Sequence, residues 1–398
     1  MTRPMNASVP PVVRSHFTDE DAAFLVALRR ELHAHPELSW QESGTQARLD
    51  AALRAVGVTD VRPVAGTGLV ARIPGRSPDA PTIALRGDID ALPIQEATGL
   101  PYASRHDGVM HACGHDVHAT WAVGAALLLR RAPAAGDVLV LLQPAEEVGA
   151  GAAAVLESGA LQGVHAIFGA HVDRRFEVGQ VCAQAGPLAA STDTFTITLT
   201  GNGAHGARPH ESADPIVGLA ALVTALQTIV SRRLDPAQPG VVTVGMVQAG
   251  SAPNIIPESA SLQGTVRATT PAARDLIVGE VDRLAFSVAA AYRLEADVAW
   301  GHRTPPVINS PDGARWAATA TRSVLGADAV VPFGTTNMGG EDFAFYLEQM
   351  PGCFLRIGAR EEGGERIAAH SPRFQAAEGA VFIGAAVLAE CARVASQA

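Results

Sequence analysis

The sequence of 398 residues contains no lysine, and all 30 of its basic residues are arginine. The absence of lysine excludes every mechanism that needs its amine: a Schiff base to substrate, an anchor for pyridoxal phosphate, and the phosphate-binding lysine of a P-loop. Arginine remains available to bind carboxylates. Acidic residues number 40, which gives a formal net charge of −10. An acidic surface repels phosphate backbones, so we expect no nucleic-acid partner.

Cysteine and long apolar runs are scarce as well. The chain has four cysteines, far apart in sequence, which favours a reducing compartment over a disulfide framework. The apolar stretches are broken by Gly, Arg or Asp, and none is expected to reach the length of a membrane span. Residues 1–17 lack the continuous apolar region of a secretory signal. We therefore expect a soluble cytoplasmic protein without a membrane partner.

The remaining composition predicts a folded chain of two domains. Hydrophobic residues make up 47% and charged residues 18%, a balance that disordered chains do not have. In the first part, short apolar runs such as TIALRGD, DVLVLLQPAEE and HAIFGAHV alternate with helical patterns. This alternation predicts an α/β domain, in which a mixed, mostly parallel sheet has helices on both faces.

The pattern changes near Gly186. TFTITLTG alternates apolar and polar positions, as a half-buried strand does, and long apolar helices and further strands follow it. The α/β character returns near residue 297. We predict that residues 1–186 and 297–398 form one discontinuous catalytic domain, and that residues 187–296 form an inserted α+β domain.

Residues that metals favour follow the predicted strands of the larger domain. These are Asp88, Asp90, Glu146, Glu147, His171 and His370. Ligands of open α/β sheets bind at the carboxyl ends of the strands, so we expect these side chains to lie together. In the pair Glu146 and Glu147, adjacent side chains of an extended backbone point in different directions. One can bind a metal while the other acts as a base toward water.

The densest group of such residues is HACGHDVH, between the first two of these strands. From an extended loop, Cys113 and His115 can both reach one cation, and thiolate, imidazole and carboxylate suit zinc or a similar transition ion. A structural zinc site is the alternative, but such sites usually close with Cys or His ligands near in sequence. Here the further candidates are scattered over strand ends, which favours a catalytic site.

Motifs through nearly the whole chain carry a family resemblance. In order, they are RRELHAHPELSWQE, LRGDIDALPIQE, HACGHDVHAT, QPAEEVGAGA, GAHV, GNGAHGARPH, PNIIP, GTVRA, GGEDFAFY and AHSPRF. Together they resemble the di-metal aminoacylase/carboxypeptidase-like metallopeptidases. The amidohydrolase branch of that family includes hippurate hydrolases, N-acetyl-amino-acid deacetylases and plant auxin-conjugate hydrolases.

The resemblance implies metal-dependent hydrolysis of the amide bond of an N-acyl amino acid or a related small conjugate. It implies two divalent cations per subunit, with zinc, manganese, cobalt and nickel all open. It also implies that the insert is a lid and dimerisation domain, and that the chain assembles as a homodimer or homotetramer. An alternative is a dipeptidase or aminoacylase-type exopeptidase of the same architecture. The HACGHD form of the metal loop favours the amidohydrolase branch by analogy.

Carried over position by position, the resemblance assigns roles to individual residues. The metal ligands would be Cys113, His115, Glu147, His171 and His370. Glu146 would be the general base, Asp90 would support His115, and His205 would polarise the scissile carbonyl from the lid. The substrate-binding candidates are Asn254, Arg267 and His210.

The sequence departs from the family pattern at three positions near these residues. Asn202 and Ala204 stand where Lys and Gly are expected, and Ala369 stands where Leu is usual. Each proposed ligand and the proposed base are present. A non-catalytic binding protein that has kept the fold, and a structural-zinc protein with unrelated chemistry, are further alternatives. The presence of Glu146 argues against the first of these.

Overall fold

The computed structural model describes residues 9–334 and 337–397, which divide into two compact units. The first unit contains the described residues of 1–186, 308–335 and 342–398, and the second those of 187–307 and 336–341. The predicted end of the insert, residue 296, falls inside a strand, Glu295–Thr304, that pairs with Thr192–Thr200. The insert therefore continues to Val307, because the chain completes this strand before it leaves the unit.

A short later segment also belongs to the second unit. The sequence places all of residues 297–398 in the catalytic domain, but 337–341 belong to the compact unit of the insert. The Ala190 N–H donates a hydrogen bond to the Asn337 carbonyl, with an N···O distance of 3.0 Å. Main-chain pairing of this kind depends on residues far apart in sequence, so the local pattern carries no sign of it.

The elements are numbered in chain order. The helices are α1 Pro11–Arg14, α2 Asp19–Ala34, α3 Ser43–Ala55, α4 His115–Arg131, α5 Gly151–Glu157, α6 Pro215–Thr228, α7 Pro271–Ala291, α8 Pro311–Leu325, α9 Ala344–Gln349 and α10 Gly379–Ala395. The strands are β1 Asp60–Val64, β2 Gly68–Ile73, β3 Ile83–Asp88, β4 Val138–Gln143, β5 Ala166–Glu177, β6 Val181–Cys182, β7 Gly186–Ala189, β8 Thr192–Thr200, β9 Ala204–His205, β10 Gly240–Ala249, β11 Ile255–Ile256, β12 Ser259–Ala268, β13 Glu295–Thr304, β14 Val307–Asn309 and β15 Gly352–Arg360. Two 3-10 turns, Pro209–Glu211 and Ala327–Ala329, and a π turn, Ile229–Arg233, complete the set.

The first unit is built on one mixed sheet, in the order β1-β2-β4-β3-β5-β15-β6. The central strands β4, β3, β5 and β15 are parallel, and antiparallel strands flank them on both sides. All six positions of β3 and eight of the nine in β15 are buried, so both faces of the sheet are covered. The predicted α/β class with a largely parallel sheet is confirmed.

Helix α4 runs through the interior of this unit. Fifteen of its 17 residues are buried, and it packs against β3 and against α10. A helix that is apolar on all sides is typical of a core position. Because α4 begins at His115, its buried N-terminal turn carries polar side chains into the core at the carboxyl end of β3.

The second unit contains an antiparallel sheet in the order β10-β12-β8-β13. In β8 every second residue is buried, as the alternation in TFTITLTG predicted. The buried residues of β8 and β12 pack against apolar residues of α6 and α7 in one core cluster. A sheet whose core side is covered by two helices is an α+β arrangement.

One helical segment of this unit contradicts the expectation about membrane-span length. Pro215–Arg233 has 19 residues and a mean hydropathy of 1.5, so by length and composition alone it is apolar enough to cross a membrane. Such a helix is weak evidence for a membrane. Leu219, Leu222 and Leu226, on one side of the helix, are buried in the core of the unit, while only 33% of the apolar segment is buried.

Candidate metal centre

The five predicted ligands lie together in the first unit. Their donor atoms form two groups, Cys113 with His115 and His171, and Cys113 with Glu147 and His370, and within each group the atoms are at most 4.8 Å apart. Cys113 belongs to both groups. The arrangement therefore offers two adjacent three-donor sites that share one sulfur.

Gly114 allows the turn between Cys113 and His115, two donors of the first group. Its φ is +90°, and a Cβ at this position would lie 2.5 Å from Cγ2 of Val172, so both conformation and space require glycine. The chain enters α4 directly after it. We expected Cys113 and His115 to lie on one extended loop, but they do not. A left-handed turn followed by the first residue of a helix brings their side chains together.

Hydrogen bonds fix the ring orientation of two histidines. The Nδ1–H of His115 donates to Oδ1 of Asp90 at 3.2 Å, and the Nδ1–H of His171 donates to the Val172 carbonyl at 2.6 Å. Each ring therefore turns Nε2 toward the other donor atoms. Nε2 of His171 lies 3.2 Å from Sγ of Cys113. Nε2 of His115 is buried and has no hydrogen-bond partner within the described residues. This is the tautomer that a metal-binding histidine needs.

Glu146 and Glu147 lie in a turn and not on an extended strand. Ala145, just before them, has a φ of +53°, so the chain enters this turn through a left-handed residue. Oε2 of Glu146 and Oε1 of Glu147 lie 3.8 and 3.7 Å from Nε2 of His115. Both carboxylates therefore reach the same histidine nitrogen.

Two polar residues that the sequence did not reveal hold this turn in place. The Ala145 N–H donates to Oε1 of buried Glu42 at 2.9 Å. The Glu147 N–H donates to Oδ2 of Asp90 at 2.9 Å, and the Ser39 hydroxyl donates to the same oxygen at 2.7 Å. Asp90 thus joins His115 to the Glu147 turn, while Ser39 and Glu42 come from the connection between α2 and α3.

His370 completes the second group from a loop after β15. Its φ is +65°, and its backbone N–H donates to the Ala112 carbonyl at 2.8 Å, which ties the loop to the segment that carries Cys113. Nε2 of His370 lies 3.6 Å from Oε2 of Glu147. His370 is half-exposed, so this side of the centre is open to solvent.

Electrostatics show that the donor set fits a cation. Burial raises the pKa of the Cys113 thiol well above its usual value, and Glu147 adds to the rise. Burial, with Asp90 and Asp88 nearby, raises the pKa of Glu147 to about 7. A bound divalent cation reverses this by stabilising thiolate and carboxylate. Nε2 of His115 and Oε1 of Glu147 are buried without a hydrogen-bond partner among the described residues, and a bound cation would satisfy both atoms.

A buried polar network lies under the centre. The Arg86 guanidinium is ion-paired with Asp88 and, at 3.0 Å, with Asp342. Asp88 also accepts a hydrogen bond from Nδ1 of His118 at 2.6 Å, and Nε2 of His118 accepts from the Val172 N–H at 3.0 Å. His118 therefore links Asp88 to the main chain of Val172, the residue that follows His171 on β5. The sequence pointed to Asp88, but not to its partners.

The predicted lid and substrate residues all lie in the second unit. His205 and Asn254 are brought together, because the Gly206 N–H donates to the Asn254 carbonyl at 2.8 Å, and both line a depression of about 480 Å³. Arg267 is on β12, half-buried, with its guanidinium hydrogen-bonded to Thr192. His210 is exposed, and its Nε2 is 3.9 Å from Glu211. Arg267 and His210 do not line the depression.

A discontinuous α/β unit that carries thiol, imidazole and carboxylate donors next to a second carboxylate, that of Glu146, and that has an α+β insert, defines a metal-dependent hydrolase. The sequence profile of Peptidase family M20/M25/M40 matches residues 84–394, and the chain belongs to this family. Divalent metals are therefore part of its chemistry.

Known relatives cover nearly the whole chain. It is 43% identical over 380 residues to an N-acetylcysteine deacetylase of Bacillus subtilis, covering 94% of this chain and 97% of the relative. It is 37% identical to an IAA-amino acid hydrolase of Arabidopsis thaliana, covering 93% and 84%. The crystal structure of a dinuclear metal-binding M20 peptidase from Bacillus subtilis superimposes with a TM-score of 0.84 at 38% identity, covering 96% and 99%. The predicted family is confirmed.

Proposed function

We propose that this chain hydrolyses the amide bond of N-acyl amino acids with two divalent cations per subunit, releasing a carboxylic acid and a free amino acid. Cys113, His115 and His171 would hold one cation, and Cys113, Glu147 and His370 the other. The observation that carries the proposal is the sharing of Cys113 by two donor groups, with a Glu146 carboxylate oxygen within 4.8 Å of donor atoms of His115 and Glu147. The named relatives that act on N-acyl amino acids support it.

The residues around the centre suit amide hydrolysis. Cations bound here would lower the pKa of a water molecule and polarise the carbonyl. Glu146 accepts the proton of the attacking water and then delivers it to the leaving amine. Asp90 keeps the Nδ1–H of His115 engaged, so that Nε2 stays available. The proton count balances, because one proton leaves the water and the same proton leaves with the amine.

The residues of the insert would bind and polarise the substrate. His205 would donate a hydrogen bond to the carbonyl oxygen as negative charge develops there. Asn254 and Arg267 would bind the substrate carboxylate, and His210 would lie at the edge of the binding surface. A His205→Ala variant should keep its metal and lose turnover. A variant as active as the parent would remove His205 from the mechanism.

The proposal is tested by amine release from a panel of N-acetyl and N-benzoyl amino acids, before and after chelation and after metal is restored. Release that stops with chelator and returns with a divalent ion would support it. The panel includes each amino acid as a dipeptide, because the alternative is an exopeptidase. A dipeptide carries a free amine near the scissile bond, and an N-acyl amino acid does not. Faster cleavage of the dipeptides would favour that alternative.

The ion that best restores amine release would identify the metal. Zinc, manganese, cobalt and nickel all bind thiolate, imidazole and carboxylate, and their order of affinity does not decide which is bound in cells. Metal content of the purified protein and activity after reconstitution with each ion would decide it. A buried thiol ligand must stay reduced, which agrees with a cytoplasmic location and with four free cysteines.

The insert would also form the dimer interface. The β10 edge of its sheet has no charged residue, and Met246 and Val247 there are more than half exposed. Val217 on neighbouring α6 is also half-exposed. An apolar sheet edge with unpaired main-chain groups is suited to pairing with a second copy of the chain. A homodimer through this edge is our proposal, and a homotetramer would need a further interface.

A further inference from the structure

Arg356, on β15, is a buried arginine for which the described part of the chain supplies no ionic partner. Only 6% of its surface is exposed. Throughout residues 9–334 and 337–397 nothing forms a hydrogen bond or an ion pair with its guanidinium, and Nε is fully enclosed. Asp173, on the neighbouring strand β5, is already paired with Arg175 at 2.7 Å. Neither the family resemblance nor the pattern of polar residues that follow the predicted strands points to Arg356.

Arg356 lies on the same face of the sheet as the metal centre. It is the Cα partner of His171 in the parallel pairing of β15 with β5, and such partners share a face. Phe354, two residues earlier and on the same face of β15, shows the direction in which the Arg356 side chain points. Its ring centroid lies 6.5 Å from that of His171, and 5.4 Å from Cζ of Arg356. Nε2 of His171 is in turn 3.2 Å from Sγ of Cys113.

The surroundings of Arg356 offset only part of the cost of burying its charge. An enclosed guanidinium is unfavourable unless it is paired. The rings of Phe333 and Phe354, with centroids 5.8 and 5.4 Å from Cζ, supply cation–π attraction. A cation bound by neighbouring His171 would add positive charge to the same region. Among the described residues, no carboxylate compensates the charge of Arg356 by pairing with it.

We propose that Arg356 binds a carboxylate of the substrate and so determines specificity beside the metal centre. This inference rests on the proposed function, because it needs an N-acyl substrate at the same site. Guanidinium and carboxylate form charge-assisted hydrogen bonds in a fork geometry. The carboxylate can belong to the amino-acid backbone, the amino-acid side chain or a dicarboxylic acyl group, and the experiment separates these sources.

Three variants are compared with the parent protein. Arg356→Met removes the charge and the hydrogen-bond donors while keeping a long apolar side chain. Arg356→Lys keeps the charge and loses the fork. Arg175→Met is the matched control, because Arg175 also stacks on Phe333, at 4.3 Å, but is exposed and paired with Asp173. Metal content and thermal unfolding of each variant show whether the fold and the centre are intact.

The substrates are pairs that differ in one carboxylate. N-acetylglutamate with N-acetylglutamine tests the side chain, N-succinylalanine with N-acetylalanine tests the acyl group, and N-acetylalanine with N-acetylalaninamide tests the backbone carboxylate. Calorimetric binding of succinate to the metal-loaded proteins is measured in parallel. The parent should prefer the charged member of one pair. Arg356→Met should lose about 10- to 100-fold of that preference, mainly through KM, because a charged hydrogen bond is lost. Arg356→Lys should lose less.

The outcomes are distinct. Loss of preference in Arg356→Met, with full metal content and an unchanged Arg175→Met control, supports the proposal, and the affected pair identifies the carboxylate. Unchanged preferences together with unchanged succinate affinity would overturn it. Loss of bound metal in Arg356→Met would assign Arg356 to support of the ligands, and would also overturn it. Absence of turnover by the metal-loaded parent would reject the proposed function, while the succinate affinities would still decide for or against Arg356.

Discussion

At the scale of single residues, the centre depends on which nitrogen each histidine presents. His115 and His171 both use Nδ1 as a donor, to Asp90 and to the Val172 carbonyl, and both leave Nε2 for a cation. Partners of this kind fix the ring orientation and raise its basicity as a ligand. Asp90 does more than orient one ring, since it also accepts the Glu147 N–H. Its loss should therefore disturb both donor groups.

Replacing Glu146 tests the assignment of the base. Glu146→Gln keeps the size of the side chain but cannot take a proton from water. We expect kcat to fall by about 10²- to 10⁴-fold, the usual contribution of a general base, while metal content stays at the parent level. Steady-state kinetics with metal analysis of the same sample would check this. Near-normal turnover with full metal would mean that another group is the base.

Replacing Cys113 tests the shared sulfur. Because Cys113 belongs to both donor groups, Cys113→Ala should lower the occupancy of both cations, whereas His370→Ala should weaken only one. Metal titration followed by calorimetry measures the stoichiometry of each variant. Loss of a single cation in Cys113→Ala, with the other bound as in the parent, would contradict a shared ligand.

The residues of the site were predictable to different degrees. The choice of the five ligands rests on the family resemblance, but the region that holds them could be found, because residues of metal-binding type follow apolar runs or lie inside HACGHDVH. Glu42 could not, because its partner Ala145 is 103 positions away and a lone Glu in a polar segment has no distinguishing pattern. Arg356 was hidden for a related reason, since within FLRIGA it looks like an interruption of a strand.

At the scale of elements, helix α2 is fastened to the start of α4 by buried charges. Nε of Arg29 and Nδ1 of His33 both lie 2.8 Å from Oδ2 of Asp116. Burial opposes the charge on each member. The attraction nevertheless lowers the pKa of Asp116 well below its usual value, and Asp116 and Glu96 raise the pKa of His33. Asp116, one residue after His115, therefore fixes the helix end instead of serving as a ligand.

This network predicts how stability depends on pH. A histidine whose pKa is raised on folding stabilises the fold fully below its unfolded pKa of about 6.5, and loses that contribution as pH rises through the higher folded value. His33→Gln should therefore lower the free energy of unfolding by about 1.5–3 kcal/mol near pH 6, and by less at pH 9. Denaturant unfolding across this range measures it.

The control for this prediction is His165→Gln, since His165 is exposed and has no part in the network. The free energies of unfolding of that variant and of the parent should differ little. A His33→Gln defect that is equal at pH 6 and pH 9 would show that packing, not the charge on His33, gives the stability.

The elements themselves were predictable where burial made the pattern strong. β3, β4 and β15 are mainly apolar runs, with few charged residues, that belong to the covered centre of a parallel sheet. The hairpin of β1 and β2 at the sheet edge was not recognised, because β1 is largely exposed and contains a proline. The insert boundary was placed inside β13, where the alternation of half-buried residues continues without a break.

At the scale of the whole molecule, the two edges of the insert sheet differ in charge. β13 carries Glu295, Asp297 and Arg303, and charged side chains of this kind protect an edge from pairing. β10 has no charged residue over its ten positions. The apolar surface continues onto α6, where Ile216 and Val217 are exposed, and Cδ1 of Ile216 would lie 3.6 Å from a Cβ at position 250, just past the end of β10. Only one edge of the sheet is thus suited to association.

The difference in charge between the two edges predicts the effect of a lysine in place of Val247. Val247→Lys places a charge at the centre of the exposed part of β10, where burial against a second copy would be unfavourable. We expect the parent to be a dimer by light scattering at micromolar concentration, and the variant to be a monomer with its metal retained. Lysine in place of Asp297, on the charged edge, is the matched control and should stay dimeric. A Val247→Lys protein that remains a dimer would place the interface elsewhere. A monomer that keeps full activity would show that each subunit holds a complete site.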